Sequence, residues 1–186
     1  MKPQIRVLGF DDEPHEKHKK GNVRVIGTFF RGGDFIDGVL KTEVKVDGSD
    51  STKKLIEIIN KSKFKPQLQA VFIDGIAFGG FNILDIEQLN KKTRIPVIVV
   101  IRKKPDIENI KQILAKIGMK EKIKLIEKAG QPIKIGNIYV QFKGIKKESA
   151  KEMLKICCKN SFLPECIRTS HLIAQGIYFG ESKGDA

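Results

Sequence analysis

The sequence predicts an α/β fold on a mixed five-stranded sheet, a three-strand meander followed by parallel strands, with flanking helices and a small extra β-hairpin region. Three observations carry this prediction. Two long apolar-rich runs joined by a tight Gly-Gly turn follow a first short run, brief continuously apolar runs come later, and apolar repeats at helical spacing lie between and after them.

Ile5–Phe10 reads as a buried strand. Asn22–Arg31 and Asp34–Val46 read as longer strands joined by a turn at Arg31-Gly32-Gly33-Asp34, which completes the meander. Asp50, Ser51 and Thr52 offer helix-capping oxygens, and Leu55, Ile56, Ile58 and Ile59 supply the apolar stripe of a helix to about Lys61. Val71–Asp74 and Pro96–Ile101 are short apolar runs separated by enough chain for a crossover, as parallel strands require. Asp106 caps a helix with inward positions Ile107, Ile110, Ile113, Leu114 and Ile117, stopped by Gly118. Ile123–Glu127, Ile133–Ile135 and Ile138–Phe142 read as short strands of the hairpin region. Lys147–Lys159 and a segment from Pro164 to Ala174 or beyond read as helices, and Gly180 to Ala186 as a frayed tail. The order β-β-β-α-β-α-β-α is that of a ribonuclease-H-like fold.

A length of 186 residues with 40% hydrophobic content predicts one domain over 1–186 with a real core. The net charge of +13 favours a polyanionic partner such as nucleic acid. Lys outnumbers Arg 29 to six, however, and Lys enrichment also marks proteins of hot-living organisms without a polyanion. Met1 to Phe10 has no cleavage-site pattern and the longest apolar stretch, Ile95 to Ile101, is too short to span a bilayer, so a cytoplasmic protein without membrane partners is expected. Cys157, Cys158 and Cys166 form neither an even disulfide set nor a Cys-x-x-Cys pair and read as structural thiols.

Carboxylates at strand and helix ends carry the chemistry. Asp11 and Asp12 follow the first strand, Asp74 ends the fourth and Asp50 opens the first helix. Asp11, Asp74 and Asp50 can face one cleft at the sheet's carboxyl end, and such a cluster can hold Mg²⁺ or Mn²⁺ for phosphodiester hydrolysis. Ordinary roles compete with this one. Asp50 suits an N-cap, Asp47-Gly48 a turn, and Asp74-Gly75 a turn after a strand. Adjacent Asp11 and Asp12 repel, so at least one calls for a cation or donor. His15 and His18 have ligand-like spacing in a hydrophilic loop, and His171 is a lone helical histidine. The loop from Gly75 through Phe78, Gly79 and Gly80 to Phe81 reads either as a clamp on a nucleotide or as a buried connection packed by its phenylalanines. Arg102, Lys103 and Lys104 end the fifth strand, where they can grip a phosphate or form a solvated face.

Three segments together resemble an archaeal family related to endonuclease V and also called endonuclease dU. They are Gly9-Phe10-Asp11-Asp12, Val46-Asp47-Gly48-Ser49-Asp50-Ser51-Thr52, and Phe72-Ile73-Asp74-Gly75-Ile76-Ala77-Phe78-Gly79-Gly80-Phe81-Asn82. The resemblance spans most of the chain and implies a ribonuclease-H-like nuclease that uses magnesium or manganese. It assigns metal-ligand roles to Asp11 and Asp74, and to Asp50 where endonuclease V proteins carry a Glu. Leu163-Pro164-Glu165-Cys166-Ile167-Arg168 resembles a final-helix pattern that places His171 beside the cleft. The His-Pro-Arg and Pro-Tyr-Ile-Pro motifs of endonuclease V are missing, so inosine specificity does not carry over; the dU group implies cleavage of DNA containing deoxyuridine.

The expectation is a metal-dependent endonuclease with Asp11, Asp12, Asp50, Asp74 and His171 catalytic, acting on DNA, with RNA as the alternative partner. Its first rival is a non-catalytic nucleic-acid binder that keeps the fold. A small-molecule phosphatase is disfavoured, because such an enzyme needs a second acid two residues after its nucleophile, and Ile76 and Glu13 do not supply it cleanly.

Overall fold

The computed structural model describes Met1 and residues 3–16 and 19–184, so His18 lies outside the described residues. β1 (Arg6–Asp12), β2 (Asn22–Arg31) and β3 (Phe35–Lys45) form the meander, followed by α1 (Ser51–Lys61) and β4 (Ala70–Asp74). A two-rung hairpin, β5 (Ala77–Phe78) and β6 (Asn82–Ile83), leads through α2 (Ile86–Thr93) to β7 (Val97–Ile101). Then come α3 (Ile107–Lys116), α4 (Ile123–Ala129), β8 (Ile133–Ile135), β9 (Ile138–Lys143), α5 (Lys147–Cys157) and α6 (Glu165–Phe179).

The main sheet has seven strands in the order β3-β2-β1-β4-β7-β9-β8. Its first five are the predicted meander and parallel pair, with β1, β4 and β7 parallel to one another. The hairpin region is part of the same sheet, because β9 pairs antiparallel with β7 along Val97–Ile101. One expected strand is corrected: Ile123–Glu127 lies in helix α4, where Ile126 and Ala129 are buried at i, i+3 spacing. Asp106 caps α3 as expected, its side chain accepting from the Asn109 N–H.

Strand alternation divides the core into two layers. Leu8, Phe10, Val71, Ile73, Val97 and Val99 face α1 and α2 through Leu55, Ile59, Ile86 and Leu89. Val7, Ala70, Phe72, Ile98 and Val100 face α5 and α6 through Met153, Leu154, Cys166 and Ile167. Cys157 and Cys166 are buried, and burial pushes both thiols well above the usual cysteine range, in keeping with a structural role. Among the described residues no helix is long and apolar enough to cross a membrane.

The α6 backbone lies directly on β1 at Gly9, where a Cβ would stand 2.5 Å from the Cys166 carbonyl carbon. Only glycine admits so close an approach. Two buried hydroxyls tie the contact: Thr28 Oγ1 donates to the Cys166 carbonyl at 2.6 Å, and Ser170 Oγ to the Gly9 carbonyl at 2.9 Å. This seam brings the middle of α6 over the end of β1.

Candidate metal centre

The pleat of β1 sends its two terminal aspartates to opposite faces. Asp11 follows Val7 and Gly9 toward α6, whereas Asp12 follows Leu8 and Phe10 toward the loop after β4. Asp74 follows Ala70 and Phe72 onto the α6 face. Phe10 pairs with Ile73 across the parallel strands, so Asp11 and Asp74 are next in line on neighbouring strand ends. From α6, His171 Nδ1 comes to 2.7 Å from Asp11 Oδ2. One ligand atom from each of Asp11, Asp74 and His171 lies within 4.8 Å of the others.

Two carboxylate oxygens and one imidazole nitrogen converging in a partly buried pocket form a donor set suited to Mn²⁺, and to Mg²⁺ with water completing its shell. The electrostatics agree. Burial pushes the Asp11 carboxyl up to about 6, with the charge of Asp74 adding to the rise and the His171 hydrogen bond opposing it. Asp12 is pushed up to about 7 by burial and by Asp11, although the Gly79 N–H favours its ionised form. The hydrogen bond to Asp11 raises His171. Asp74 is held on its other side by Arg102, whose guanidinium nitrogen lies 2.9 Å from Oδ2.

A pH dependence follows from the two raised carboxyls. In the unfolded chain both ionise near pH 4, whereas the folded chain keeps its protons to about pH 6–7. Between those limits the folded state binds more protons, so its stability falls as pH rises through that window. Urea titrations of the metal-free chain at pH 4.5 and 8 should show the drop, and Asp12→Asn should shrink it. A flat profile would show that these carboxyls are solvated.

The other predicted carboxylates form a separate set that fastens the glycine-rich loop. Asp12 Oδ2 accepts from the Gly79 N–H at 2.8 Å, Asp47 Oδ1 from the Phe81 N–H at 2.8 Å, and Asp50 Oδ1 from the Asn82 amide at 2.7 Å and the Lys45 N–H at 3.1 Å. Asp50 therefore stands outside the Asp11–Asp74–His171 group, and its side chain makes no cap bond to α1 either. Its position after an extended strand places it at the right end of the sheet, but two strands away from β1. His15 stands 4.0 Å from Asp12, also on the loop side.

The loop reading needs a second correction. Phe78 is fully buried in the α1/α2 layer, so it is a packing residue and presents no ring to a nucleic acid. Gly79 is buried, and Gly80 is exposed at a left-handed φ of 80° with Asp47 Oδ1 2.4 Å from where a Cβ would be. Gly75 is half-buried on the turn out of β4, its N–H bonded to the Val100 carbonyl. Arg102, Lys103 and Lys104 are exposed just beyond β7.

Sequence reasoning passed over Lys122. This buried ammonium donates to the carbonyls of Asp47, Gly48 and Phe81 at 2.7, 2.7 and 2.8 Å, joining the β3–α1 turn to the glycine-rich loop. Burial lowers its pKa. Three charge-assisted bonds to carbonyls cannot be kept by a thioether, so Lys122→Met should cost roughly 2–4 kcal/mol. Thermal unfolding checks this, and an unchanged midpoint would mean that the loops hold without it. Gln175 was passed over as well, though its i, i+4 spacing from His171 on a helix was the available signal.

The fold places the chain among proteins built like endonuclease V. Ciona intestinalis endonuclease V, solved with a 24mer DNA containing an inosine followed by a ribo-adenosine, superposes with a TM-score of 0.60 at 17% identity, over 95% of this chain and 87% of that one. The human endonuclease V catalytic domain gives 0.58 at 15% identity, over 96% of this chain and 87% of the other. The particular family is set by sequence: the endonuclease dU model matches residues 3–178, and the chain belongs to that family. A UPF0215 protein of Methanothermobacter thermautotrophicus is 42% identical over 100% of this chain and 94% of its own length. A crystal structure of a protein of unknown function from Archaeoglobus fulgidus superposes with a TM-score of 0.87 at 36% identity, over 94% of this chain and 98% of that one.

Proposed function

We propose that this chain is a divalent-cation-dependent endodeoxyribonuclease that cuts DNA containing deaminated bases, deoxyuridine foremost, in DNA repair. The observation that carries the reading is the convergence of Asp11, Asp74 and His171 at the carboxyl end of β1 and β4. These three residues would hold Mg²⁺ or Mn²⁺, which supplies a Lewis acid for the phosphate oxygens and lowers the pKa of bound water. Asp11, buried and raised to about 6, would hold the cation as its ionised carboxylate. Arg102 orients Asp74, and with Lys103 and Lys104 it offers positive charge to the nucleic-acid backbone. Gly75 leaves open space, with nothing within 4 Å of a Cβ position, so backbone there can come close to a nucleotide. The glycine-rich loop acts as a fastened wall of the cleft.

The test is a cleavage panel with the full chain. Oligonucleotides carrying one deoxyuridine, one inosine or no lesion, as duplex or single-stranded DNA and as RNA, are incubated with Mg²⁺, Mn²⁺ or a chelator. Cutting that needs the cation and is strongest on deoxyuridine DNA is the expected result. No cation-dependent cutting anywhere in the panel removes the reading, and cutting confined to RNA or inosine removes the substrate assignment.

A further inference from the structure

We propose that Gln175 sets which nitrogen of His171 carries the hydrogen, and thereby couples cation binding to the docking of residues 181–184. The coupling rests on the cation-binding reading above; the role of Gln175 does not.

One chain of contacts links Lys183 to Asp11. Gln175 is buried one turn after His171 on α6, and its side-chain oxygen accepts from the Lys183 backbone N–H at 2.8 Å. A backbone N–H can only donate, so this contact settles which end of the amide is oxygen. The amide nitrogen therefore faces His171 Nε2, at 2.9 Å. An NH₂ group also only donates, so Nε2 is the lone pair and the ring hydrogen sits on Nδ1, donating to Asp11 Oδ2 at 2.7 Å. Donation thus runs in one direction, from Lys183 through Gln175 and His171 to Asp11.

That arrangement is incompatible with ligation through Nδ1, the ring atom that faces Asp11. To offer Nδ1 to a cation, the neutral imidazole must carry its hydrogen on Nε2, and that hydrogen needs an acceptor where the Gln175 NH₂ now stands. The amide must turn over. Its NH₂ then meets the Lys183 N–H, donor against donor, and the contact is lost. The expectation of a frayed tail is corrected for the described residues: after the left-handed Gly180 ends α6, the chain returns along the helix, and Lys183 Nζ lies 4.0 Å over the Phe179 ring. Docking of this segment and ligation by His171 oppose each other through one amide.

Nuclear magnetic resonance on the ¹⁵N-labelled full chain at pH 8 reads the first half without any metal. A scalar coupling between Gln175 Nε2 and His171 Nε2, with the ring hydrogen on Nδ1, is expected; a hydrogen on Nε2 in the metal-free chain overturns the assignment. Zn²⁺, a diamagnetic probe, should abolish the coupling, move the hydrogen to Nε2 and speed exchange of the Lys183 amide. Mn²⁺ binding by calorimetry then compares Lys183→Pro with Lys183→Met, which lose the same charge but differ in the N–H. The proline variant should bind roughly three- to tenfold tighter. Equal affinities with the coupling intact under Zn²⁺ would overturn the linkage. A chain that keeps the coupling yet takes up no cation would leave the role of Gln175 standing and remove the cation-binding reading.

Discussion

Replacing Asp74 with Asn is expected to lower cation-dependent cutting of deoxyuridine DNA by about 10³-fold or more, the scale on which one transition-state charge contact acts. The amide keeps the shape of the carboxylate and an oxygen for Arg102, so folding should be preserved. What disappears is one of the two negative charges of the proposed cation site. Asp11→Asn should behave alike, and in addition it removes the carboxylate that receives His171. The contrast with Asp50→Asn makes the experiment specific. Asp50 fastens Lys45 and Asn82 and stands outside the group, so its variant should keep cutting within about tenfold while losing some stability. Single-turnover assays with Mg²⁺ and Mn²⁺ decide between these outcomes. Retained cutting in Asp74→Asn, or its loss in Asp50→Asn with the fold intact, would show that the wrong carboxylates have been assigned.

Gly9→Ala should damage both stability and the candidate metal centre, though it touches none of the three residues proposed to hold the cation. The added methyl would lie 2.5 Å from the Cys166 carbonyl carbon and 2.7 Å from the Ile167 nitrogen. Those atoms are helix backbone and cannot turn aside like a side chain, so α6 must move as a unit. Moving it strains two buried hydrogen bonds, Thr28 to Cys166 and Ser170 to Gly9, and withdraws His171 from Asp11. A loss of roughly 2–4 kcal/mol is expected from such overpacking, accompanied by weaker Mn²⁺ binding under conditions where the variant is still folded. Urea denaturation and calorimetry measure the two effects separately. A variant with unchanged stability would mean that the helix and strand have room to spare.

Much of this protein was legible along the chain because the relevant physics is periodic. The meander, the parallel pair and α1 follow from apolar alternation, short buried runs and helical spacing, which local backbone geometry enforces. The place of Asp11 and Asp74 was legible for the same reason: both directly follow buried runs that become neighbouring parallel strands. Ile123–Glu127 was misread because Ile123, Leu125 and Ile126 satisfy both the alternating and the helical spacing within five residues, and only packing of Ile126 and Ala129 selects the helix. Phe78, buried in the core, and Asp50, apart from the Asp11–Asp74–His171 group, differ from expectation for another reason. A carboxylate or a ring near a strand end has several faces to choose from, and its choice is made by residues far away, here Asn82 for the one and the α1/α2 layer for the other.

The amino-acid order alone thus determined the strand ends, their acidic termini and the positive balance of charge, because these need only local periodicity and counting. The tertiary structure decided which aspartates meet. It sent Asp11 and Asp12 to opposite sides of one strand, brought a helix onto Gly9 and set Lys122 and Gln175 among their partners. Those outcomes depend on distances between residues as much as 161 positions apart, such as Gly9 and Ser170, and no local pattern encodes them.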